Sequence, residues 1–223
     1  EKYLSDDYLS QNPSWDQEDS PWKAALVSGF LKEEGLAPKS ACEVGCGAGG
    51  VLSELGKTWP GAELRGYEIA PAAARFWEKN KRSNVEFVLG DFLKLNKSHY
   101  GLVMLLDVVE HLGDPFAFLN ALHGSADNYL FHIPLDLSAL SVAREVPLLG
   151  QRTKVGHLHY FTKNLALQLL KESGFEIVSW RYSGAAFHSP QSTWKTRLAA
   201  IPRFLAYSLD KDWGVRLLGG ETL

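Results

Sequence analysis

Cysteine, long apolar runs and a surplus of either charge are all scarce in this sequence, and each scarcity excludes something. Only two cysteines occur, Cys42 and Cys46, four positions apart. That is too few for a disulfide framework or a cysteine zinc site, so reduced thiols in a cytoplasmic protein are expected. No stretch approaches the roughly 18 consecutive apolar residues of a membrane span, and the opening EKYLSDDYLSQ lacks the basic-then-apolar pattern of a signal peptide. No membrane partner is therefore expected. The 23 Lys and Arg against 26 Asp and Glu leave a net charge of -3, which gives no electrostatic reason to bind nucleic acid. The one basic run, Lys79 to Arg82, reads as the solvated end of a helix.

What is present is a regular alternation. Ser20 and Pro21 read as the N-cap and first position of a helix that stops at Gly35. Strands follow at Ser40 to Gly45, Glu63 to Tyr67, Val85 to Leu89, Gly101 to Leu106, Asn128 to Ile133 and Phe175 to Tyr182. Between them lie helices at Gly49 to Thr58, Pro71 to Asn80, after Asp114 and Pro115, and at Thr162 to Ser173, the last closed by Gly174. Near the end, TWKTRLAAIPRFLAYSL reads as a helix interrupted at Pro202. Alternating strands and helices predict an α/β fold, a doubly wound and mostly parallel sheet covered on both faces. Phe76, Trp77 and Phe87 read as packing against that sheet, because helix and strand periods already account for them.

In such a sheet, ligands bind beyond the carboxyl ends of the strands. The first strand runs into ACEVGCGAGGVL, with four glycines in six positions, and Gly45, Gly47 and Gly50 fit a dinucleotide fingerprint. The residues just past four strands are acids: Glu43, Glu68, Asp91 and Asp107. Phosphates would be repelled there, and the glycine turn carries no Lys or Arg to compensate. Glu68 lies 21 residues after Gly47 (68 - 47), where an acid accepts both ribose hydroxyls. The crevice is therefore expected to take a cationic nucleoside, one bearing sulfonium and ammonium groups as S-adenosylmethionine does.

Four ordered motifs carry a family resemblance over about Ser40 to Tyr182: EVGCGAG, GYEIAP, LGDF and LLDVVEHLGDP. The chain resembles a class I S-adenosylmethionine-dependent methyltransferase. The resemblance implies a Rossmann-like seven-stranded sheet whose last, antiparallel strand is here short or truncated within VRLLGGETL. It implies that the loop of Gly45, Cys46, Gly47 and Gly49 lies against the methionine part of the cofactor, with Glu43 orienting the ammonium. Glu68 would hold the ribose, Ile69 would pack on the adenine, and Asp91 would accept from its amine. Phe92 would lend its backbone or ring, and Asp107 and Val108 would border the methyl. Asp91 has a plainer reading beside this one, since Gly-Asp after a strand is an ordinary turn signal.

The methyl acceptor is expected to be a small molecule with an oxygen or nitrogen nucleophile. His111, His157 and His159 are the candidate general bases, and only one of the last two is expected to face the pocket. Asp107, Glu110 and His111, with His157 or His159, resemble the ExxEH ligand set of metal-dependent RNA 2'-O-methyltransferases, with Asp for the first Glu. Related small-molecule enzymes carry this spacing without metal; no metal is assigned, and the net acidity counts against an RNA acceptor. Residues 1–39 are expected to form a lid and a helix, with Trp15, Trp22 and Lys23 as acceptor contacts. Residues 40–223 form the cofactor-binding core. An insertion at about 135–160, ending at Tyr160, shapes the acceptor pocket, and LSALSVAREVPLL within it reads either as a pocket helix or as a surface helix. A cofactor-binding protein without catalysis is the alternative from another class; a nicotinamide-dependent oxidoreductase is disfavoured by the acid ring.

Overall fold

The computed structural model describes residues 9–10, 12–188 and 194–223. Of the expected lid, residues 1–8 and 11 lie outside the described residues. The chain forms two compact units, one containing the residues up to Val108 together with Ala121–Phe131, the other Val109–Asn120 with His132–Leu223.

The first unit is built on a five-stranded sheet in the order β3-β2-β1-β4-β5. Its strands are β1 (Ser40–Val44), β2 (Glu63–Glu68), β3 (Val85–Leu89), β4 (Tyr100–Leu106) and β5 (Ala126–His132). β1 is parallel to β2, with Glu43 opposite Gly66, and to β4, with Glu43 opposite Met104; β2 is parallel to β3. The chain order reverses between β1 and β4, which opens a crevice at their carboxyl ends. Near-continuous burial along β1 and β4 is what a parallel sheet covered on both faces requires. One cover is α1 (Ser20–Glu33), which buries Ala24, Val27 and Leu31 along one face. Another is α2 (Gly50–Thr58), whose Leu52 and Leu55 are wholly enclosed. Trp77 stacks on Phe87 at 5.2 Å, the packing role expected of them.

Two local expectations in this unit are corrected. Asp19, not Ser20, holds the N-cap position of α1, because a 3₁₀ turn at Gln17–Asp19 runs straight into the helix and Ser20 is buried in its first turn. The helix expected over Pro71 to Asn80 is two short ones, α3 (Pro71–Ala74) and α4 (Trp77–Asn80). Tight bonds from Ala73 N to Ala70 O (3.2 Å) and from Phe76 N to Ala73 O (3.1 Å) tie the turn around the break. A further short helix, α5 (Phe92–Leu95), follows β3.

The second unit is helical. After α6 (Pro115–Leu122) and the short β6 (Pro134–Leu135) come α7 (Ala139–Arg144), α8 (Val146–Lys154) and α9 (Lys163–Glu172). LSALSVAREVPLL is thus split between two helices, α7 being held by a Ser138–Ser141 capping box. Thr162 caps α9 as expected, accepting from Leu165 N. The helix α10 (Trp194–Leu209) runs on through Pro202 where an interruption is expected; the missing N–H removes one bond from a helix of 16 residues. α11 (Lys211–Leu218) and β7 (Glu221–Thr222) end the chain.

The seven-stranded sheet is corrected to five strands and a separate pair. β7 is antiparallel, as expected of a last strand, but it pairs with β6, Pro134 opposite Thr222 and Leu135 opposite Glu221. The strand expected at Phe175 to Tyr182 does not form. Val178 is 85% exposed, and the segment reaches β7 through the bond from Ser183 N to Thr222 O (2.9 Å), without a ladder. Its aromatic side chains are engaged instead: the Lys163 ammonium lies 4.2 Å over the Trp180 ring, and Tyr182 donates to Asp212 Oδ1 at 2.6 Å.

Close packing beneath the glycine loop yields a stability test. A Cβ on Gly66 would stand 2.6 Å from Cys46 Sγ and 2.7 Å from Leu52 Cδ1. Gly66→Ala therefore overpacks the sheet and is expected to lower the unfolding free energy by about 1–3 kcal/mol, read as the urea midpoint. An unchanged midpoint would show that this contact yields freely.

Candidate functional site

The glycine loop after β1 winds tightly. Gly45, Gly47 and Gly49 all take positive φ, at 75°, 52° and 79°. That region disfavours side chains. Gly45 N and Cys46 N both donate to Tyr67 O, at 2.8 and 3.0 Å, and Gly49 N donates to Cys46 O. Neighbouring elements fix the loop's outward groups. The Trp77 indole N–H donates to Gly47 O at 2.9 Å. Asn80 donates to Ala48 O at 2.7 Å and to Gln17 Oε1 at 2.9 Å. The break between α3 and α4 accompanies this arrangement, with Trp77 and Asn80 both turned to the loop. Trp15, expected in a lid, is laid on it: a Cβ on Gly47 would stand 2.9 Å from its indole nitrogen.

Glu68 braces the same loop. Its Oε2 accepts from Gly47 N at 2.9 Å and its Oε1 from Ala70 N at 2.8 Å. Burial raises its pKa against the lowering effect of these N–H groups. Each oxygen has a second lone pair beyond these bonds.

Glu43 is only 3% exposed, and its Oε2 has no hydrogen-bond partner among the described residues. Burial pushes its pKa up to about 8; Lys23 opposes this, and Glu68 and Asp107 reinforce it. Asp107 takes a left-handed backbone, φ 56°, and its Oδ2 lies 2.7 Å from the Lys23 ammonium. Burial disfavours the charge on Lys23, yet Asp107, then Asp19 and Glu43, outweigh it and hold the pKa above the usual lysine value. A lysine thus stands in the acid ring. It comes from α1 rather than from the glycine turn, so no local pattern announces it, and it corrects the expectation of an uncompensated anionic crevice.

The remaining residues of the resemblance divide. Ile69 is 51% exposed and apolar at the end of β2. Val108 is laid on Gly45, where a Cβ would meet its Cγ2 at 2.7 Å. Asp91 caps α5, accepting from Leu93 N at 3.0 Å, and pairs with Lys94 at 3.4 Å. Phe92 is buried, its ring edge-on to Tyr67 at 5.1 Å. The Cys46 side chain is buried against the sheet at Gly66, and burial raises its pKa well above the thiol range. Trp22 is half-buried on α1.

The histidines belong to the second unit. His111 Nδ1 lies 3.2 Å from Gly156 O, and His157 Nδ1 lies 2.6 Å from Asp136 Oδ2. The two rings meet edge to face at 4.9 Å. His159 Nε2 lies 2.9 Å from Leu112 O, and Tyr160 donates its hydroxyl to Leu148 O at 2.9 Å. Asp107 belongs to the first unit, where its carboxylate lies on Lys23.

Sequence and fold comparisons agree with this architecture. A family model described as a methyltransferase domain matches residues 18–180, and the chain belongs to that family. It is a methyltransferase, and its fold is that of the class I enzymes. Among solved structures, it resembles a plantazolicin methyltransferase determined with S-adenosylhomocysteine: TM-score 0.60, 20% identity, 94% of this chain and 88% of that one covered. Human N-acetylserotonin methyltransferase in complex with S-adenosylmethionine superimposes with a TM-score of 0.59 at 19% identity, over 82% and 55% of the two chains. A chain of the complex containing the Haloferax volcanii Trm112 methyltransferase activator gives 0.64 at 13% identity, over 98% and 96%. No protein of curated function matches the sequence. Among the described residues, no helix is long and apolar enough to cross a membrane.

The raised pKa of Glu43 fixes a sign. An unfolded glutamate titrates near 4.5, the folded one near 8, so over that interval the folded protein holds a proton the unfolded chain has lost. Stability then falls as pH rises from about 4.5 through about 8. In thermal unfolding of the cofactor-free protein, Glu43→Gln is expected to remove this part of the decline. Parallel pH profiles for the two proteins would contradict it.

Proposed function

We propose that this protein transfers the methyl group of S-adenosylmethionine to an oxygen or nitrogen of a small-molecule acceptor. The observation that carries the reading is the buried Glu43 carboxyl, with one oxygen unpartnered, beside the Lys23–Asp107 ion pair at the carboxyl ends of β1 and β4. The methionine end of the donor is a zwitterion, and this site offers each of its charges an opposite. Glu43 takes the ammonium, losing its own proton as it does so, and Lys23 takes the carboxylate. In this reading Lys23 serves the cofactor rather than the acceptor.

The other assignments follow the crevice. The second lone pairs of Glu68 accept the ribose hydroxyls, and exposed Ile69 supplies an apolar face for the adenine. Asp91 and the Phe92 backbone meet its edge, and Val108 and the Asp107 backbone border the sulfonium. The backbone of Gly45, Cys46, Gly47 and Gly49 gives the donor its floor, and Trp15 and Trp22 cover it. Methyl passes from sulfur to the acceptor atom; sulfur keeps the bonding pair as a neutral thioether, and the acceptor gives up a proton. Holding the nucleophile in line supplies much of the acceleration. His157, buried against Asp136, is poorly placed to meet an acceptor, which leaves His111 and His159 as candidate bases and Tyr160 as a candidate contact. A small acceptor is favoured by the absence of any basic surplus and by the acceptors named for two neighbours, plantazolicin and N-acetylserotonin. Two buried free thiols fit a cytoplasmic location.

Two measurements test the reading. Lys23→Met is expected to weaken S-adenosylhomocysteine by roughly 10- to 100-fold, the loss of a charge-assisted bond of about 1.5–3 kcal/mol. Methylthioadenosine, which lacks the amino-acid end, should bind as before. Equal losses for both would remove Lys23 from the carboxylate. A screen of small acceptors with isotopically labelled methyl donor should find turnover, and the histidine base should reveal itself as a loss of at least about 100-fold in turnover with donor affinity kept. If His111→Ala, His157→Ala and His159→Ala all turn over normally, none of these histidines acts as base. Donor binding without transfer to any acceptor would favour the non-catalytic alternative.

A further inference from the structure

In the second unit, α10 makes its fixed contacts through one side. A Cβ on Gly220 would stand 3.1 Å from Arg203 Cζ, and Tyr207 donates its hydroxyl to Gly219 O at 2.6 Å. The same Tyr207 ring covers Gly214 of α11, where a Cβ would stand 2.5 Å from its Cδ1. The other side of α10 carries Ile201, Phe204, Leu205 and Leu209, at i, i+3, i+4 and i+8, which is one stripe of a helix. All four are more than half exposed, Leu209 to 90%. On α11, Trp213 and Leu217 stand one turn apart and are exposed as well. A helix packed for the fold alone turns its apolar side inward. Here an arginine and a tyrosine face the body, and the hydrocarbon faces out.

Charge narrows what covers this face. Residues 194–218 contain Lys195, Arg197, Arg203, Lys211 and Arg216 against Asp210 and Asp212, a local balance of +3 (5 - 2), which leaves -6 on the rest of the chain (-3 - 3). Both acids are engaged within the fold. Asp210 caps α11, accepting from Trp213 N at 3.0 Å, and Asp212 takes the Lys163 ammonium and the Tyr182 hydroxyl. The Arg216 guanidinium lies 5.6 Å over the Trp213 ring, so a cation and an aromatic ring stand together beside the apolar stripe. Exposed aromatic and aliphatic side chains on a helix edged by Arg and Lys are the pattern of a helix that lies in a bilayer interface. We propose that the outward face of α10 and α11 docks on a membrane surface bearing anionic phospholipids. A second copy of this chain fits less well, because a symmetric contact would set the basic helices against each other. The expectation of no membrane partner rests on apolar runs and overall charge, and neither registers a patch at one end of the chain.

The test is cosedimentation of the full chain with vesicles of phosphatidylglycerol and, separately, of phosphatidylcholine. Binding to phosphatidylglycerol is expected, falling as salt rises, with much weaker binding to phosphatidylcholine. Leu205→Glu and Leu209→Glu should each weaken it roughly 10- to 100-fold, the loss of one leucine from the lipid, and Arg216→Gln about 5-fold. Val178→Glu, at an exposed valine outside these helices, should bind as the wild type does. Circular dichroism checks that each variant is folded. A readout on the wild type needs no destabilising change: brominated acyl chains should quench its tryptophan fluorescence, and Trp213→Phe should lose that quenching. No binding to phosphatidylglycerol, equal binding to both lipids, or wild-type binding by folded Leu205→Glu and Leu209→Glu each overturns the proposal. A dimer in light scattering that Leu205→Glu dissolves, without vesicle binding, overturns it too and assigns the face to a second copy.

Discussion

A buried carboxyl group with one oxygen that meets no donor, at the carboxyl end of the central strand, is the constraint around which the first unit is arranged. Glu43 sits between β2 and β4 in the sheet, where burial makes its ionised form costly. The acids nearest it are each occupied: Glu68 by the N–H groups of Gly47 and Ala70, Asp107 by the Lys23 ammonium. Glu43 Oε2 meets no hydrogen-bond donor among the described residues. A sheet that needed only stability would place a hydrocarbon there. The proposed donor, with an ammonium at one end and a sulfonium nearby, converts that cost into affinity, since a cation favours the ionised carboxylate.

Lys23 completes this arrangement. Without a cation from α1, three acids at the carboxyl ends of β1, β2 and β4 would repel one another and oppose folding of the cofactor-free chain. With it, the crevice carries matched charges before any ligand arrives. The floor is equally prepared: Trp77, Asn80 and Glu68 hold the glycine loop by side chains from elements that follow it, so the loop pays little ordering entropy when the donor binds.

Much of this was legible in the sequence, and the misses have a common cause. The central strands and their helices are written locally, in apolar runs bounded by Gly, Pro and caps such as Thr162, and they lie within a residue or two of expectation. The acids after β1 to β4 were legible because strand ends in a parallel sheet converge by topology alone. Contacts made at long range were not. The alternation in Phe175 to Tyr182 reads as a strand, but a strand needs a neighbour's backbone, and here Lys163 and Asp212 claim the aromatic side chains instead. Lys23 lies 84 residues before Asp107 (107 - 23), and nothing in its helix marks it as a member of the crevice. Asp91 met its plainer reading in part, as the cap of α5. The histidines were found as residues, but the partners that fix them, Gly156 and Asp136, had no signal.

The central claim is that Glu43 surrenders a proton to receive the donor's ammonium. Calorimetric titration of S-adenosylhomocysteine at pH 7, in buffers of different ionisation enthalpy, measures this directly. The account predicts that binding releases close to one proton in the wild type, because a carboxyl with a pKa of about 8 is mostly protonated there, and almost none in Glu43→Gln. Binding of equal strength in both proteins, with no proton released by either, would contradict it.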